Sequence, residues 1–263
     1  MNVIKDRLFE HLDDARKENP NYFFIGLQGS QNYDLSYEGS DVDSKMLVLP
    51  SFEDFALNRK PKSYTHLMPN EEHVDVKDIR LMFDCFWKQN INFLEILFSR
   101  WAIFNDEYSA EYEDLLKLRE RIAHYNNYAA MNCMVGMAKE KFKALKHPYP
   151  ATMEKIEKYG YDGKQLHHIM RMDEFMTAYR EGYTFEECLT YYPKYGKDSL
   201  LRAKKNGYCL EYAEEMAASI IKRMDEEKAK YMAEVPLKVD YEVRAQAEKI
   251  MVEVLKKNFR KEL

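Results

Sequence analysis

Residues 22–50 read YFFIGLQGSQNYDLSYEGSDVDSKMLVLP, two short apolar runs joined by a polar loop. The first run, from Tyr22 to Leu27, is aromatic and β-branched, has the length of a buried strand, and stops at Gly29-Ser30. After the loop from Asn32 to Ser40, a second strand pattern runs from Val42 to Leu49 and is closed by Pro50. Asp41 and Asp43 stand at its head, two residues apart. Side chains alternate across a strand, so both carboxylates project from one face while Val42 turns to the other.

Upstream, Ile4, Leu8, Leu12 and Ala15 recur at helical spacing before the Asn19-Pro20 break. Downstream, Val74 and Val76 alternate with His73, Asp75 and Lys77, which predicts a third strand over 72–77. From Asp78 the period changes. Ile79, Met82, Phe83, Phe86 and Trp87 form a helical stripe, and Phe93, Leu94, Ile96 and Leu97 follow it. Beyond about residue 107 the pattern is helical, with long segments at 128–145, 164–179, 209–232 and 240–258. The expected fold is an α/β domain over 1–106, a small sheet with helices, followed by an all-α domain over 107–263.

The chain has 263 residues, 46% of them hydrophobic and 32% charged, with 9 Gly and 8 Pro. These values belong to a globular protein able to bury a core and not to a disordered or fibrous one. No apolar stretch reaches the ~18 residues of a membrane span, and the first residues carry charge where a signal peptide is apolar, so a soluble, cytoplasmic protein is expected. Cys85, Cys133, Cys188 and Cys209 are scattered and read as reduced thiols, not a zinc site. The net charge of -5 gives no global argument for nucleic-acid binding. Basic clusters at Lys139, Lys141, Lys143 and Lys146 and at Arg202, Lys204 and Lys205 read first as solvated helix faces.

Two carboxylates on one strand face repel each other unless a cation lies between them. Mg²⁺ suits a sparse Asp-x-Asp pair, because it takes oxygen ligands, keeps several waters and is completed by substrate phosphates; Mn²⁺ is the alternative. Gly29 lets the backbone approach a phosphate closely, and the Ser30 hydroxyl adds a donor. Together the parts suit metal-assisted phosphoryl chemistry on a nucleoside triphosphate.

The segment GLQGSQNYDLSYEGSDVDSKMLVLP resembles the Gly-Ser…Asp-x-Asp signature of DNA polymerase beta superfamily nucleotidyltransferases. HVDVKDIRLMFDCFWKQNINFLEILFS and GYDGKQLHHIMRM resemble its bacterial and phage branch, some members of which are associated with RNA-repair operons. The resemblance spans residues 22–180 and implies a third carboxylate on a neighbouring strand, which binds metal and serves as general base. Asp75, flanked by Val74 and Val76, is the choice; Asp78 and Glu72 are the alternatives, with Asp78 read instead as a helix cap. Asn92 or Glu95 near the site is an even choice against plain capping and packing. The resemblance also implies cationic contacts to the triphosphate from the helical domain. Lys164, His168 and Arg171, at i, i+4 and i+7, are the candidates, with His167 alongside.

The expected activity is Mg²⁺-dependent transfer of a nucleoside monophosphate to an RNA 3′ end or a protein side chain, RNA being favoured by the operon association. A nucleotide-binding regulator with little turnover is the rival reading, and a helical interaction protein the third.

Overall fold

The computed structural model describes residues 3–37 and 40–262. In chain order α1 is Val3–Ala15, β1 Tyr22–Gln28, β2 Asp43–Val48, α2 Phe52–Ala56, β3 Ser63–Leu67, β4 His73–Asp78, α3 Ile79–Trp87, α4 Ile91–Leu94 and β5 Ala102–Phe104. Helices follow: α5 Ser109–Lys117, α6 Arg119–Ala123, α7 Asn127–Ala144, α8 Met153–Tyr159, α9 Gly163–Glu181, α10 Phe185–Thr190, α11 Gly196–Lys204, α12 Leu210–Glu234 and α13 Tyr241–Arg260. Single 3₁₀ turns lie at Gly29–Gln31 and Glu95–Phe98.

The five strands form one mixed sheet in the order β3-β4-β2-β1-β5, in which β2 and β4 are parallel and the other pairs antiparallel. The α/β class and the three strands expected from alternation are present. β3 and β5 were not anticipated. Both are edge strands: β3 turns Tyr64 and His66, not aliphatic side chains, to its less exposed face, and β5 has only three residues, shorter than a strand pattern needs.

The strands' period of two sorts the sheet into faces. Ile25, Met46, Val48, Val74 and Val76 pack with Leu8, Leu12 and Ala15 of α1 into one buried cluster. Asp43, Lys45, Asp75 and Lys77 stand on the opposite face, where Phe93 of α4 lies over Lys45. Asp78 ends β4 and caps α3 by accepting from the Arg80 amide at 2.9 Å, the role expected for it.

Two compact units divide the chain, Met1–Tyr125 with Val239–Leu263, and Asn126–Lys238. The expected break at 106/107 followed the last strand pattern; packing follows the aromatics instead. Tyr112 of α5 lies 4.9 Å from the Phe24 ring and 5.0 Å from the Phe104 ring, which ties α5 to the sheet. α13 returns to the same unit, where Asn258 donates to the Pro50 carbonyl at 2.8 Å and Arg121 pairs with Asp240.

In the second unit α9 is the central helix, in contact with α7, α10, α11 and α12. Its interior carries an ionic network. Asp173 accepts from Tyr195 Oη at 2.6 Å and pairs with Arg223 and Lys194, while Glu174 accepts the Lys194 and Tyr195 amides. Every buried carboxylate oxygen there has a partner, as its burial requires. Among the described residues no helix is long and apolar enough to cross a membrane, and the four cysteines are free thiols.

Candidate functional site

β1 and β2 are antiparallel, with Gln28 opposite Asp43, so the end of one strand delivers Gly29 to the start of the other. Gly29 has φ +78°, a conformation that disfavours any residue with a Cβ, and a Cβ built there would stand 3.9 Å from Asp43 Oδ2. The turn is locked from behind by buried Asn32, whose side chain donates to the Leu27 carbonyl at 2.7 Å and accepts from the Arg100 amide. Ser30 is half-buried within this turn. The structure therefore brings Gly29, Ser30 and Asp43 into one corner of the sheet.

β2 begins at Asp43, so Asp41 precedes the strand and is exposed, while Val42 is buried between the two carboxylates. Asp43 Oδ1 is shielded from solvent and accepts no hydrogen bond among the described residues, and His73 Nδ1 lies 3.5 Å from it. A shielded carboxylate oxygen in that state has an electrostatic need that a cation meets. The Gly29 approach and this oxygen fit a hard dication completed by phosphate oxygens.

Asp75 shares the face of Asp43 but is held differently. It stands opposite Lys45 in the β2–β4 register and is ion-paired with it, and its second oxygen pairs with Lys77 at 3.0 Å. Lys45 is 3% exposed. Burial lowers its pKa, with Asp75 working against that shift. Among the described residues no three His, Cys, Asp or Glu side chains converge as a ready-made metal cage. Asp43 thus supplies a carboxylate beside the glycine turn, Asp41 an exposed one two residues before it, and Asp75 one engaged by ammonium groups.

Glu72, the other alternative, lies behind the Asp-x-Asp segment. Its Oε1 accepts the Val42 amide at 3.0 Å and its Oε2 meets His11 Nε2 at 2.9 Å and Arg7 at 2.6 Å. Burial pushes the Glu72 pKa up, but the bonds from His11 and Val42 and the charge of Arg7 outweigh it and hold the carboxyl below its usual range. Glu95 is buried, and its Oε1 accepts the Gly29 amide at 3.4 Å. Asn92 is exposed, and the cap of α4 is Asn90.

The cationic stripe expected at Lys164, His168 and Arg171 lies in the second unit on α9 and is not a uniform surface. Lys164 is exposed, His168 half-buried and Arg171 buried. Leu166, Ile169 and Met170 are fully buried as well, since α9 is enclosed on most sides. His167 donates from Nδ1 to the Leu200 carbonyl at 2.9 Å, and burial lowers its pKa to about 4. Burial, followed by the charges of His167, Arg171, Lys141 and Lys164, pushes His168 well down too.

Lys45 and His11 were missed as parts of this site. The signals were present: Lys45 is two residues after Asp43 and so on its face, and His11 lies three residues after Leu8 on the apolar side of α1.

No family model matches the chain, and no curated protein is similar to it by sequence. Among solved structures it is similar to the crystal structure of a nucleotidyltransferase-like protein from Exiguobacterium sibiricum 255-15, at 10% identity and TM-score 0.30 over 95% of this chain and 79% of that one.

Proposed function

We propose that this chain is an Mg²⁺-dependent nucleotidyltransferase, moving a nucleoside monophosphate from NTP to an acceptor hydroxyl and releasing pyrophosphate. The observation that carries the reading is the Gly29 turn, at φ +78°, set against the carboxylate of Asp43, whose Oδ1 is shielded and accepts no hydrogen bond among the described residues. Asp41 and Asp43 would hold the ion, Mn²⁺ serving as a substitute, and the bound ion would neutralise and orient the triphosphate. Gly29 and the Ser30 hydroxyl receive phosphate oxygens, which requires Glu95 to yield the Gly29 amide.

The acceptor oxygen bonds to the α-phosphorus, the bond to the bridging oxygen breaks, and pyrophosphate carries away the electron pair. Asp75 is the proposed third carboxylate, taking the acceptor's proton once it is released from Lys45. In the second unit Lys164, the exposed cation of α9, is the proposed contact for anionic phosphate, together with His168 and Arg171. The acceptor is an RNA 3′ end or a protein side chain.

The test is incubation with each α-labelled NTP, Mg²⁺ and whole-cell RNA or protein. Label is expected in one of the two polymers and absent with the double variant Asp41→Asn, Asp43→Asn. Transfer undiminished in that variant sinks the mechanism.

A second reading draws on the pairing of Asp75 with Lys45 and Lys77. A chain whose third carboxylate stays neutralised would bind NTP without efficient turnover and act as a nucleotide-binding regulator. Calorimetric binding of NTP with no labelled product on any acceptor supports this alternative.

A further inference from the structure

Val42 and Ser44 flank Asp43; Val42 is buried, and Ser44 turns to the α1 face of the sheet. Each is anchored. Glu72 Oε1 takes the Val42 amide at 3.0 Å, and His11 Nδ1 meets the Ser44 hydroxyl at 2.9 Å. The two anchors are themselves joined, because His11 Nε2 lies 2.9 Å from Glu72 Oε2. Arg7, from one turn earlier in α1, donates to the same oxygen at 2.6 Å, and Asn70 donates to it at 3.1 Å. His11 and Ser44 are fully buried and Glu72 is 7% exposed, so the chain of bonds is shielded from water.

We propose that Glu72, acting with His11, is the positioning device of the Asp41–Asp43 pair. It clamps the chain at Val42, between the two carboxylates, and through His11 at Ser44, just after them, and so fixes their separation and aim. Asp41 lies outside the regular strand, so the ladder of sheet hydrogen bonds does not hold it. The Glu72 carboxylate substitutes for the missing ladder partner at Val42. The inference rests on the reading of Asp41 and Asp43 as cation ligands; it adds that their affinity is set by the reach of a residue on the other side of the sheet. Residues that orient metal ligands typically govern affinity by about 10–100-fold.

The experiment titrates the full chain with Mn²⁺ alone, read by electron paramagnetic resonance, and follows thermal unfolding in parallel. Glu72→Gln keeps the length and an acceptor for Val42 but turns an NH2 toward the donors of Arg7 and Asn70, a loss that should lower the melting temperature; Mn²⁺ affinity of the folded variant within about threefold of wild type is expected. Glu72→Asp keeps the charge and loses the reach; a fall of about tenfold or more is expected. A purely electrostatic contribution gives the opposite order, and a purely scaffolding one moves the melting temperature and leaves the Mn²⁺ affinity of folded Glu72→Asp unchanged; either result overturns the proposal. Ser44→Ala removes the second anchor alone and covers the case in which Glu72→Asp does not fold. It should weaken Mn²⁺ severalfold, and unchanged affinity in it also overturns the proposal. Wild-type chain that binds no Mn²⁺ overturns the nucleotide-transfer reading and the clamp together, whereas normal wild-type binding with unaltered variants overturns the clamp alone.

Discussion

Lys45 and Asp75 face each other across the parallel strands β2 and β4 and form an ion pair beneath the ring of Phe93, whose centroid lies 4.4 Å from the ammonium. Lys45→Met preserves the volume of the stem and deletes the charge. Asp75 keeps Lys77 at 3.0 Å and is partly exposed, so the loss is smaller than for a fully stranded buried charge. Urea denaturation should show a destabilisation of about 1–3 kcal/mol. Because the variant frees one oxygen of Asp75, Mn²⁺ affinity should rise severalfold if Asp75 is a ligand. Unchanged affinity in a folded Lys45→Met protein removes Asp75 from the metal set and favours the regulator reading.

Gly29→Ala probes the turn itself. At φ +78° an alanine is strained by about 1 kcal/mol relative to glycine, and its methyl would stand beside Asp43 Oδ2. The protein should fold with a slightly lower melting temperature and bind NTP at least tenfold more weakly by calorimetry. Wild-type NTP affinity in this variant shows that phosphate does not approach the turn.

How far these positions could be read in advance follows from the range of the forces that place them. The turn after β1 and the head of β2 at Asp43 are local: strand parity and one glycine define them, and residues 22–50 contain both, whereas Asp41 lies outside the strand and parity does not place it. The α/β class follows for the same reason. Lys45 and Asp75, in contrast, are 30 residues apart and meet through strand register, and the link from His11 to Glu72 spans 61 residues. Neither pairing leaves a periodic trace. The return of α13 to the sheet unit is equally silent, because its apolar stripe shows that it must pack and not where. On α9 the stripe of Lys164, His168 and Arg171 looked like a polar face. Packing on most sides of α9 buries Arg171 and half-buries His168, a tertiary outcome that overrides period.

Two glycines on adjacent packed helices should respond with opposite sign. A Cβ on Gly163 would meet the Ala203 carbonyl oxygen at 2.3 Å and the Asn206 amide nitrogen at 2.8 Å, both backbone atoms that cannot turn aside. Gly163→Ala should therefore force α9 and α11 apart and cost about 1–3 kcal/mol. Gly136, in the middle of α7, has nothing within 4 Å of a built Cβ, so Gly136→Ala should stabilise by about 0.5–1 kcal/mol through helix propensity. Differential scanning calorimetry on the two variants checks both signs, and a stabilised Gly163→Ala contradicts the close approach.

The second unit carries an acid-sensitive group in His167, buried on α9 with its Nδ1 proton on the Leu200 carbonyl. Burial lowers its pKa from an ordinary 6.5 to about 4. Between those values the unfolded chain binds a proton that the folded chain refuses. Stability from this residue is therefore complete above pH 6.5, falls as the pH drops toward 4, and is constant below it. The full loss is about 3 kcal/mol. His168, shifted the same way by burial, deepens the decline, while burial raises the Glu174 carboxyl and opposes it at the acid end. Comparison with His167→Asn separates the contributions, because the Asn amide can keep the bond to Leu200 and does not titrate. Urea midpoints measured from pH 4 to 7 should lie close together toward neutrality and separate toward the acid end, wild type falling below the variant. Parallel curves would show that His167 takes up its proton without unfolding anything.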